Sequence, residues 1–314
     1  MARVRLFGRV VETDVAFSTP LVETDAPADL HYRLVTAPRS WDEPGPVVHT
    51  EPPFVDGEPF ATLHRVDERT HLVRFTRVVD FVLGPNAIEG RLHDPQLDWL
   101  AELRLLGPAM ALWLELRGEV ALHASSVGRD GRAIGFMSVN GGGKTTLAAA
   151  FLADGHALLS DDVTAIRVGN GDADARPSYP QLRLWPADVT ALTGLDPQHL
   201  PRAHPHYEKR RLRVGDGGYG SHETRSQPLG ALYVLDRQPG AVLEVQRLRG
   251  GEPVRELLGH SFVGRYLGDP RFAVERTARL ARLCAAVPVS RVTHDLPAAE
   301  LKRHIERDLE APLR

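Results

Sequence analysis

The fold is decided by the stretch Arg132-Ala-Ile-Gly-Phe-Met-Ser-Val-Asn-Gly-Gly-Gly-Lys-Thr-Thr-Leu-Ala-Ala-Ala-Phe151. It begins as a short apolar strand, turns through three glycines and continues as an alanine-rich helix. The backbone N–H groups of such a turn and of the first helical turn together form a site for phosphate. Glycine lets the chain close around an anion because no Cβ stands in the way. The sequence therefore predicts a phosphate-binding loop.

The end of this loop carries the predicted contacts with a nucleotide. The P-loop pattern (Walker A) places the ammonium of Lys144 on the β- and γ-phosphates and the hydroxyl of Thr145 on Mg²⁺. The full pattern also has a glycine at position 138, where this chain has Ser138. The residues predicted to bind the nucleotide are Asn140, Gly141, Gly142, Gly143, Lys144, Thr145 and Thr146.

A second apolar run, residues 156–166, contains two adjacent carboxylates, Asp161 and Asp162. The run is predicted to be a buried strand, with the two side chains on opposite faces. A charged pair inside an apolar run is unfavourable unless it meets a cation or hydrogen-bond donors. Beside a phosphate loop, the expected cation is Mg²⁺, which prefers oxygen ligands.

Composition restricts the class of protein. The chain has 314 residues, a net charge of −3, 42% hydrophobic and 25% charged residues, which is ordinary for a soluble protein of one large or two smaller domains. A charge near zero gives no general attraction to nucleic acid or to an anionic membrane. No apolar run reaches the about 18 residues of a spanning helix. The single cysteine and the lack of a signal-peptide pattern predict a cytoplasmic protein.

The chain is predicted to have three parts: a β-rich N-terminal domain (residues 1–95), a connecting helix (96–117) and an α/β domain (118–314). The first part has runs typical of strands, including residues 4–11 and an antiparallel meander over residues 60–92. Pro108 is expected to kink or divide the connecting helix.

A polar stretch, residues 196–228, contains the basic run Glu208-Lys-Arg-Arg-Leu-Arg213. Such a run is normally a solvated face or a mobile loop. Next to a nucleotide site, a mobile cationic loop can instead neutralise charge on a transferring phosphoryl group. We therefore expect at least one of Lys209, Arg210, Arg211 and Arg213 to take this role, and add Arg211 to the predicted nucleotide-binding residues. Tyr207 is the one aromatic residue beside the run, which argues against binding of nucleic acid.

Three features keep a fixed spacing around the loop. His123 lies 21 residues before Lys144, on the predicted strand that precedes the loop. The loop ends in Gly-Lys-Thr. Asp161 and Asp162 follow the lysine by 17 and 18 residues, in a Gly-His…Asp-Asp run. In these features the segment resembles the HPr kinase/phosphorylase family, and more closely its kinase-only relatives. The resemblance implies a P-loop kinase domain of the phosphoenolpyruvate-carboxykinase-like type, which uses ATP and Mg²⁺.

The resemblance also implies a role for each residue of the segment. Asp162 is the general base for the acceptor hydroxyl, and Asp161 binds Mg²⁺ or holds its neighbour. Lys144 contacts the transferring phosphate, Thr145 binds Mg²⁺, and His123 assists near the reacting oxygens. These roles agree with the needs of phosphoryl transfer, which are positioning, a metal ion and a carboxylate that accepts the hydroxyl proton.

Two departures from the family bear on the direction of the reaction. The bifunctional members have Ser-Glu after the loop lysine, where this chain has Thr145-Thr146. Their Glu-x-Arg-Gly-Leu-Gly run is replaced by Pro180-Gln-Leu-Arg-Leu-Trp-Pro186. We therefore expect kinase activity rather than phosphorolysis.

The kinase-only relatives include enzymes that phosphorylate the C-terminal serine of lasso-peptide precursors, and the N-terminal part of this chain is similar to theirs. The leading hypothesis is a serine kinase acting on a peptide or protein, in biosynthesis of a ribosomally synthesised, modified peptide (RiPP). The alternatives are a kinase of small hydroxylated metabolites and a non-catalytic nucleotide-binding regulatory module. The resemblance also implies a homo-oligomer, and we predict neither a nucleic-acid nor a membrane partner.

Overall fold

The computed structural model describes residues 1–36, 44–262 and 270–310. The fold is mixed α/β, with strands in several sheets. The chain divides into two compact units: the first is Met1–Ala121 with Phe262–Ala278, and the second is Leu122–Ser261 with Arg279–Arg314. None of the described helices is long and apolar enough to cross a membrane.

The first unit contains a sheet whose described strands are β1 (Ala2–Leu6), β2 (Arg9–Thr13), β3 (Val22–Glu23), β4 (Leu30–Thr36), β5 (Val47–Val55), β6 (Glu58–Arg65), β7 (His71–Phe75), β8 (Val79–Leu83) and β9 (Ala87–Leu92). Their order across the sheet is β3-β1-β2-β4-β9-β8-β7-β6-β5. The predicted antiparallel meander is confirmed by the pairing of β6 to β9. β4 pairs in parallel with β2 and β9.

Local backbone geometry divides two runs of the first unit that the sequence predicted as continuous. The predicted strand 4–11 is a hairpin, because Phe7 and Gly8 both have positive φ and turn β1 into β2. The helical region is also divided, into α1 (Asp98–Arg104) and α2 (Met110–Leu116). Between them lies a π-helical segment that contains Pro108, which has no N–H to donate.

The remaining elements are β10 (Val120–Leu122), β11 (Ala124–Arg129), β12 (Arg132–Met137), α3 (Lys144–Ala153), β13 (Ala157–Ser160), β14 (Thr164–Val168), β15 (Ala173–Arg176), β16 (Gln181–Leu184), α4 (Pro186–Thr193), β17 (Arg202–His204), β18 (Tyr207–Arg213), β19 (Ser221–His222), β20 (Gln227–Arg237), β21 (Glu244–Arg247), α5 (Glu252–Gly259), α6 (Pro270–Ala286), β22 (Val289–His294) and α7 (Ala298–Glu310). The main sheet of the second unit has the order β14-β15-β20-β12-β11-β13-β19, and β22 pairs with β20 and β21.

The predicted strand, glycine turn and helix are present as β12, residues 138–143 and α3. β12 runs parallel to β20 and antiparallel to β11, so it lies inside the sheet. α3 buries apolar residues on most of its faces, and Phe151 stacks on Phe136 of β12 at a centroid distance of 5.1 Å. This contact holds the C-terminal part of α3 against β12.

Three predictions about the second unit are wrong in local detail. The run 156–166 is not one strand, because β13 ends at Ser160 and β14 begins at Thr164, and the two aspartates lie in the turn between them. His123 lies between β10 and β11 rather than on a strand. The basic run 208–213 is not a mobile loop, because it belongs to β18, which is paired on both sides by β16 and β17.

Candidate active site

The glycine turn between β12 and α3 is shaped by two glycines. Gly143 caps α3 with a φ of 91°, a left-handed conformation that favours glycine. A Cβ added to Gly142 would lie 2.7 Å from the Cβ of Ser138. Ser138 is itself buried. The serine at the position where the P-loop pattern has glycine is therefore accommodated because Gly142, opposite it, has no side chain.

Lys144 is the first residue of α3, next to the unpaired N–H groups of the first helical turn. Its side chain is buried. Burial lowers the pKa of the Lys144 ammonium, while the nearby charges of Asp162 and Asp161 oppose that shift. The first turn of α3 thus combines a buried cation with the positive end of the helix dipole, and both attract an anion.

Asp161 connects the acidic turn to the glycine turn. Its Oδ1 accepts hydrogen bonds from the Thr145 hydroxyl, at 2.9 Å, and from the Ser125 hydroxyl, at 2.6 Å. Its Oδ2 accepts from the backbone N–H of Arg183 at 3.2 Å. All three donors are neutral groups, so the hydrogen bonds of this buried carboxylate come from hydroxyls and a backbone N–H. The cation nearby is Lys144.

Asp162 has a different environment from its neighbour. Its φ of 72° is unusual for a residue other than glycine, and it directs the side chain out of the strand path. Oδ2 lies 3.2 Å from Nη1 of Arg183, and Oδ1 lies 3.4 Å from Nδ1 of His123. Burial raises the pKa of Asp162, but the charges of Arg183, His123 and Lys144 outweigh it, and the net shift is downward. The carboxyl group is therefore ionised at neutral pH.

His123 joins Asp162 to the glycine turn. Its Nδ1 donates to the backbone oxygen of Asp162 at 3.0 Å, and its Nε2 lies 3.1 Å from Oδ1 of Asn140. Carbonyl and carboxylate oxygens accept hydrogen bonds, so Nδ1 carries a hydrogen in this arrangement. The structure thus places His123, Asn140, Lys144, Thr145 and the acid pair, Asp161 and Asp162, around one point.

Arg183 belongs to this cluster and was not identified from the sequence. It lies on β16 and contacts both carboxylates, Asp161 through its backbone N–H and Asp162 through its guanidinium. No motif or periodicity marks this arginine in the sequence, because the carboxylates that it contacts lie about 20 residues earlier, in the turn after β13.

Thr146 stands where the bifunctional enzymes have glutamate, and it is paired with a carboxylate from another element. Its hydroxyl donates to Oδ2 of Asp188 at 2.9 Å, from the first turn of α4. An acidic group is therefore present beside the loop even though Thr146 does not supply it.

The basic run contributes to the site through Lys209. Lys209 lies on the wall of the cavity that the loop opens into, with Nζ 5.6 Å from the ring centre of Trp185. Arg211 does not line that cavity, and its Nε donates to the backbone oxygen of Arg202 at 3.1 Å. The role predicted for Arg211 in nucleotide binding remains a prediction.

The oxygens of Thr145 and Asp161 fit a magnesium ion. A threonine hydroxyl and a carboxylate oxygen are the kinds of ligand that Mg²⁺ prefers, and the hydrogen bond between them shows that both side chains reach the same point. The described residues contain no group of three or more His, Cys, Asp or Glu side chains placed for a metal ion. Mg²⁺ at a nucleotide site does not require one, since phosphates and water supply most of its ligands.

Comparison with known proteins gives limited information. No protein-family model matches the sequence, and no curated protein matches it. The chain is similar to the structure of the Hpr(Ser) kinase/phosphatase from Coxiella burnetii, with 14% sequence identity over 61% of this chain and 99% of that one. The TM-score is 0.31. This similarity is too weak to assign a function, which must come from the contacts in the site.

Proposed function

We propose that the protein is a kinase that transfers the γ-phosphoryl group of ATP to a hydroxyl group, with Mg²⁺. The observation that carries this proposal is the 2.9 Å hydrogen bond between Thr145 and Asp161. It joins an anion-binding glycine turn to an acid pair, and phosphoryl transfer needs these two parts together. A glycine turn with only a structural role does not require two carboxylates beside it.

The residues of the cluster divide the work of the reaction. Asp162 accepts the proton of the acceptor hydroxyl, because it is ionised and its side chain is 29% exposed. The hydroxyl oxygen bonds to the γ-phosphorus, the bond to the bridging β-γ oxygen breaks, and ADP leaves. Lys144 and the N–H groups of the first turn of α3 stabilise the charge on the phosphate oxygens.

Two further residues position the base. Arg183 and His123 contact different oxygens of the Asp162 carboxylate and hold its orientation. Thr145 and Asp161 would hold Mg²⁺, which supplies charge neutralisation on the β- and γ-phosphates when bound. Asp161 thus supports the site, while Asp162 performs the proton transfer.

We propose that the acceptor is a serine hydroxyl of a peptide or protein, in line with the resemblance of residues 123–166 to the kinase-only relatives. The C-terminal serine of a lasso-type RiPP precursor is the specific case. A small hydroxylated metabolite and a module that binds nucleotide without transferring phosphate are the competing cases.

The proposal is tested by incubating the protein with Mg²⁺ and ATP labelled at the γ-phosphate. The acceptors are peptides with a C-terminal serine, the same peptides with an internal serine, and free serine. We expect label in a peptide with wild-type protein. Lys144→Ala should reduce the transfer rate by about 10²–10³-fold, since removing one donor to the developing charge has effects of this size.

The outcomes separate the three cases. Transfer to small alcohols alone would support a metabolite kinase. Nucleotide binding without transfer to any acceptor would support the regulatory module. Wild-type rates in Lys144→Ala would contradict the assignment of the loop itself.

A further inference from the structure

The small sheet formed by β16, β18 and β17 has two faces of different chemistry. On one face, Leu182 of β16 is the register partner of Leu212 of β18, and both are buried in the core of the second unit. Side chains alternate between the two faces along a strand. The opposite face of β18 therefore carries Lys209, Arg211 and Arg213.

Arg183 of β16 lies on the same side as these three cations, because it is the register partner of Arg211. Directly opposite residues of an antiparallel pair have Cβ atoms about 5 Å apart, and two like charges in this position repel each other. Asp162, 3.2 Å from the guanidinium of Arg183, offsets one of the two charges. The cationic face, which consists of Arg183, Lys209, Arg211 and Arg213, thus begins at the proposed base and continues along β18.

The core-facing side of the same strands pairs its exposed cations with a carboxylate. Glu208 is the one acidic residue of β16, β17 and β18, and it lies 3.1 Å from Arg202 and 3.4 Å from Arg210. Because Glu208 alternates with Lys209 along β18, it points away from the cationic face. The cationic face therefore receives no carboxylate from its own sheet. A surface group of like charges attracts anions.

The cationic face reaches from the reaction site to the solvent. Arg183 and Lys209 line the cavity that the glycine turn opens into, whereas Arg211 and Arg213 do not. Arg213 is exposed, and Lys209 and Arg211 are half-buried. Lys209 and Arg213 are separated by four residues of strand, or about 13 Å, which exceeds the reach of a single carboxylate. The part outside the cavity suits several negative charges that the nucleotide does not supply.

We propose that the cationic face binds acidic side chains of the acceptor peptide, in the segment that precedes the acceptor serine. The inference rests on the proposed function, because it assumes that Asp162 activates a serine at the end of a peptide. An extended peptide advances about 3.3 Å per residue. With its serine at Asp162, it therefore places carboxylates about two to five positions before the serine on Arg211 and Arg213. The protein thus recognises an acidic segment as well as the serine.

The test uses three peptides that end in serine and differ at the third to fifth positions before it, where they have Asp, Asn or Lys. Wild-type protein should give a roughly tenfold higher kcat/KM with the Asp peptide than with the Asn peptide, since each exposed ion pair contributes up to about fivefold. The Lys peptide should be the poorest substrate. Fluorescence anisotropy without nucleotide should give the same order of Kd values, and high salt should reduce the differences.

Three variants locate the effect on the sheet. Arg213→Glu reverses the charge at the exposed end, so it should act on the Lys peptide several-fold better than wild-type protein does. Arg211→Gln should reduce the ratio of kcat/KM between the Asp and Asn peptides several-fold. Arg202→Gln is the matched control, because Arg202 lies on the neighbouring strand with a side chain that is 52% exposed and belongs to the other face. It should keep the wild-type ratio.

Circular dichroism verifies that each variant is folded, and Arg213→Glu, at an exposed position, decides the question if Arg211→Gln is not. Equal kcat/KM for the Asp and Asn peptides would overturn the inference. An equal loss of the ratio in Arg202→Gln would also overturn it. A weaker Kd of ATP in Arg211→Gln, with the peptide ratio unchanged, would assign the cations to the nucleotide instead.

Failure of the proposed function has another signature. In that case wild-type protein would transfer phosphate to none of the three peptides. The Kd values from anisotropy still test the cationic face there, and an Asp peptide that binds no more tightly than the Asn peptide would overturn the inference.

Discussion

The two units use buried charge in different ways. In the first unit, Arg276 and Glu115 form an ion pair at 3.1 Å, and both side chains are fully buried. In the second unit, the buried carboxylate of Asp161 is held by neutral donors, and the buried Lys144 lies near both aspartates at the mouth of a cavity. A buried ion pair of opposite charges is a structural arrangement. Several charged side chains that lie close together beside a cavity, and that are held by neutral hydrogen-bond donors, are typical of a functional site.

This comparison predicts that substitutions in the two units affect different properties. Changes to the paired charges of the first unit should reduce stability and leave the catalytic rate intact. Changes to the charged groups of the second unit's site should reduce the catalytic rate and leave stability nearly intact. Each variant below is therefore measured both for phosphate transfer and for its free energy of unfolding.

The largest effect is expected for Asp162→Asn. The amide has the same shape but cannot accept the hydroxyl proton, so transfer should fall by about 10²–10⁴-fold. Nucleotide affinity and the free energy of unfolding should remain close to wild type, because Arg183 and His123 lose only one charged partner at a partly exposed position. Single-turnover transfer and calorimetric binding measure the two effects. Full activity in this variant would remove the assigned base.

Glu115→Gln should have the opposite profile. It takes the carboxylate away from a guanidinium that is fully buried, and the loss of one partner of such a pair costs about 3–5 kcal/mol of stability. The transfer rate of the folded fraction should be unchanged. Denaturant unfolding gives the free energy, with Glu58→Gln as control.

The control residue has the same chemistry at the surface. Glu58 is 52% exposed and lies 3.3 Å from Arg77, so its substitution should change stability by less than about 1 kcal/mol. If Glu115→Gln reduced the transfer rate more than it reduced stability, the contrast between the two units would fail.

Acid should weaken both units by the same mechanism. Burial lowers the pKa of His71, in the first unit, and of His222, in the second, to about 4. Between pH 6.5 and 4 the unfolded chain binds a proton at each site and the folded chain does not, so stability falls as the pH falls through this window. The loss is at most roughly 3 kcal/mol per histidine.

This acid sensitivity is measured from unfolding curves at pH 7, 5.5 and 4. His71→Gln and His222→Gln should each flatten the dependence, whereas His31→Gln, at an exposed position, should not. Equal slopes in all four proteins would show that the buried histidines do not cause the acid sensitivity.

The smallest effect separates two neighbours on β18. Lys209 lines the cavity and Arg211 does not. Lys209→Ala should weaken ATP binding by roughly threefold to tenfold, or about 1 kcal/mol, and Arg211→Ala should change it by less than twofold. A larger effect at Arg211 would support the assignment that was made from the sequence alone.

Local patterns predicted the elements whose residues are close in the chain. The three glycines before Lys144 have few functions other than a tight turn, and the apolar runs on either side determine β12 and α3. β18 escaped detection because Leu212 is its one buried residue, so no alternation of apolar and polar residues is visible. The two aspartates were placed on a strand because the apolar run continues past them as β14.

Long-range contacts account for the site residues that the sequence did not show. Arg183 meets Asp162, and Asp188 meets Thr146, only after β16 and α4 have packed against the loop. His294 reaches the cavity from β22, about 150 residues after the glycine turn. No periodicity marks such residues, because their partners lie on other elements. His123 was identified from a resemblance in spacing and not from a local pattern.

The most direct test of the central claim is a crystal structure with Mg²⁺ and a non-hydrolysable ATP analogue. The account predicts the triphosphate on residues 141–145, a metal ion bound by Thr145 and Asp161, and the γ-phosphate directed toward Asp162. A nucleotide bound elsewhere, or a triphosphate in the loop whose γ-phosphate points away from Asp162, would contradict it.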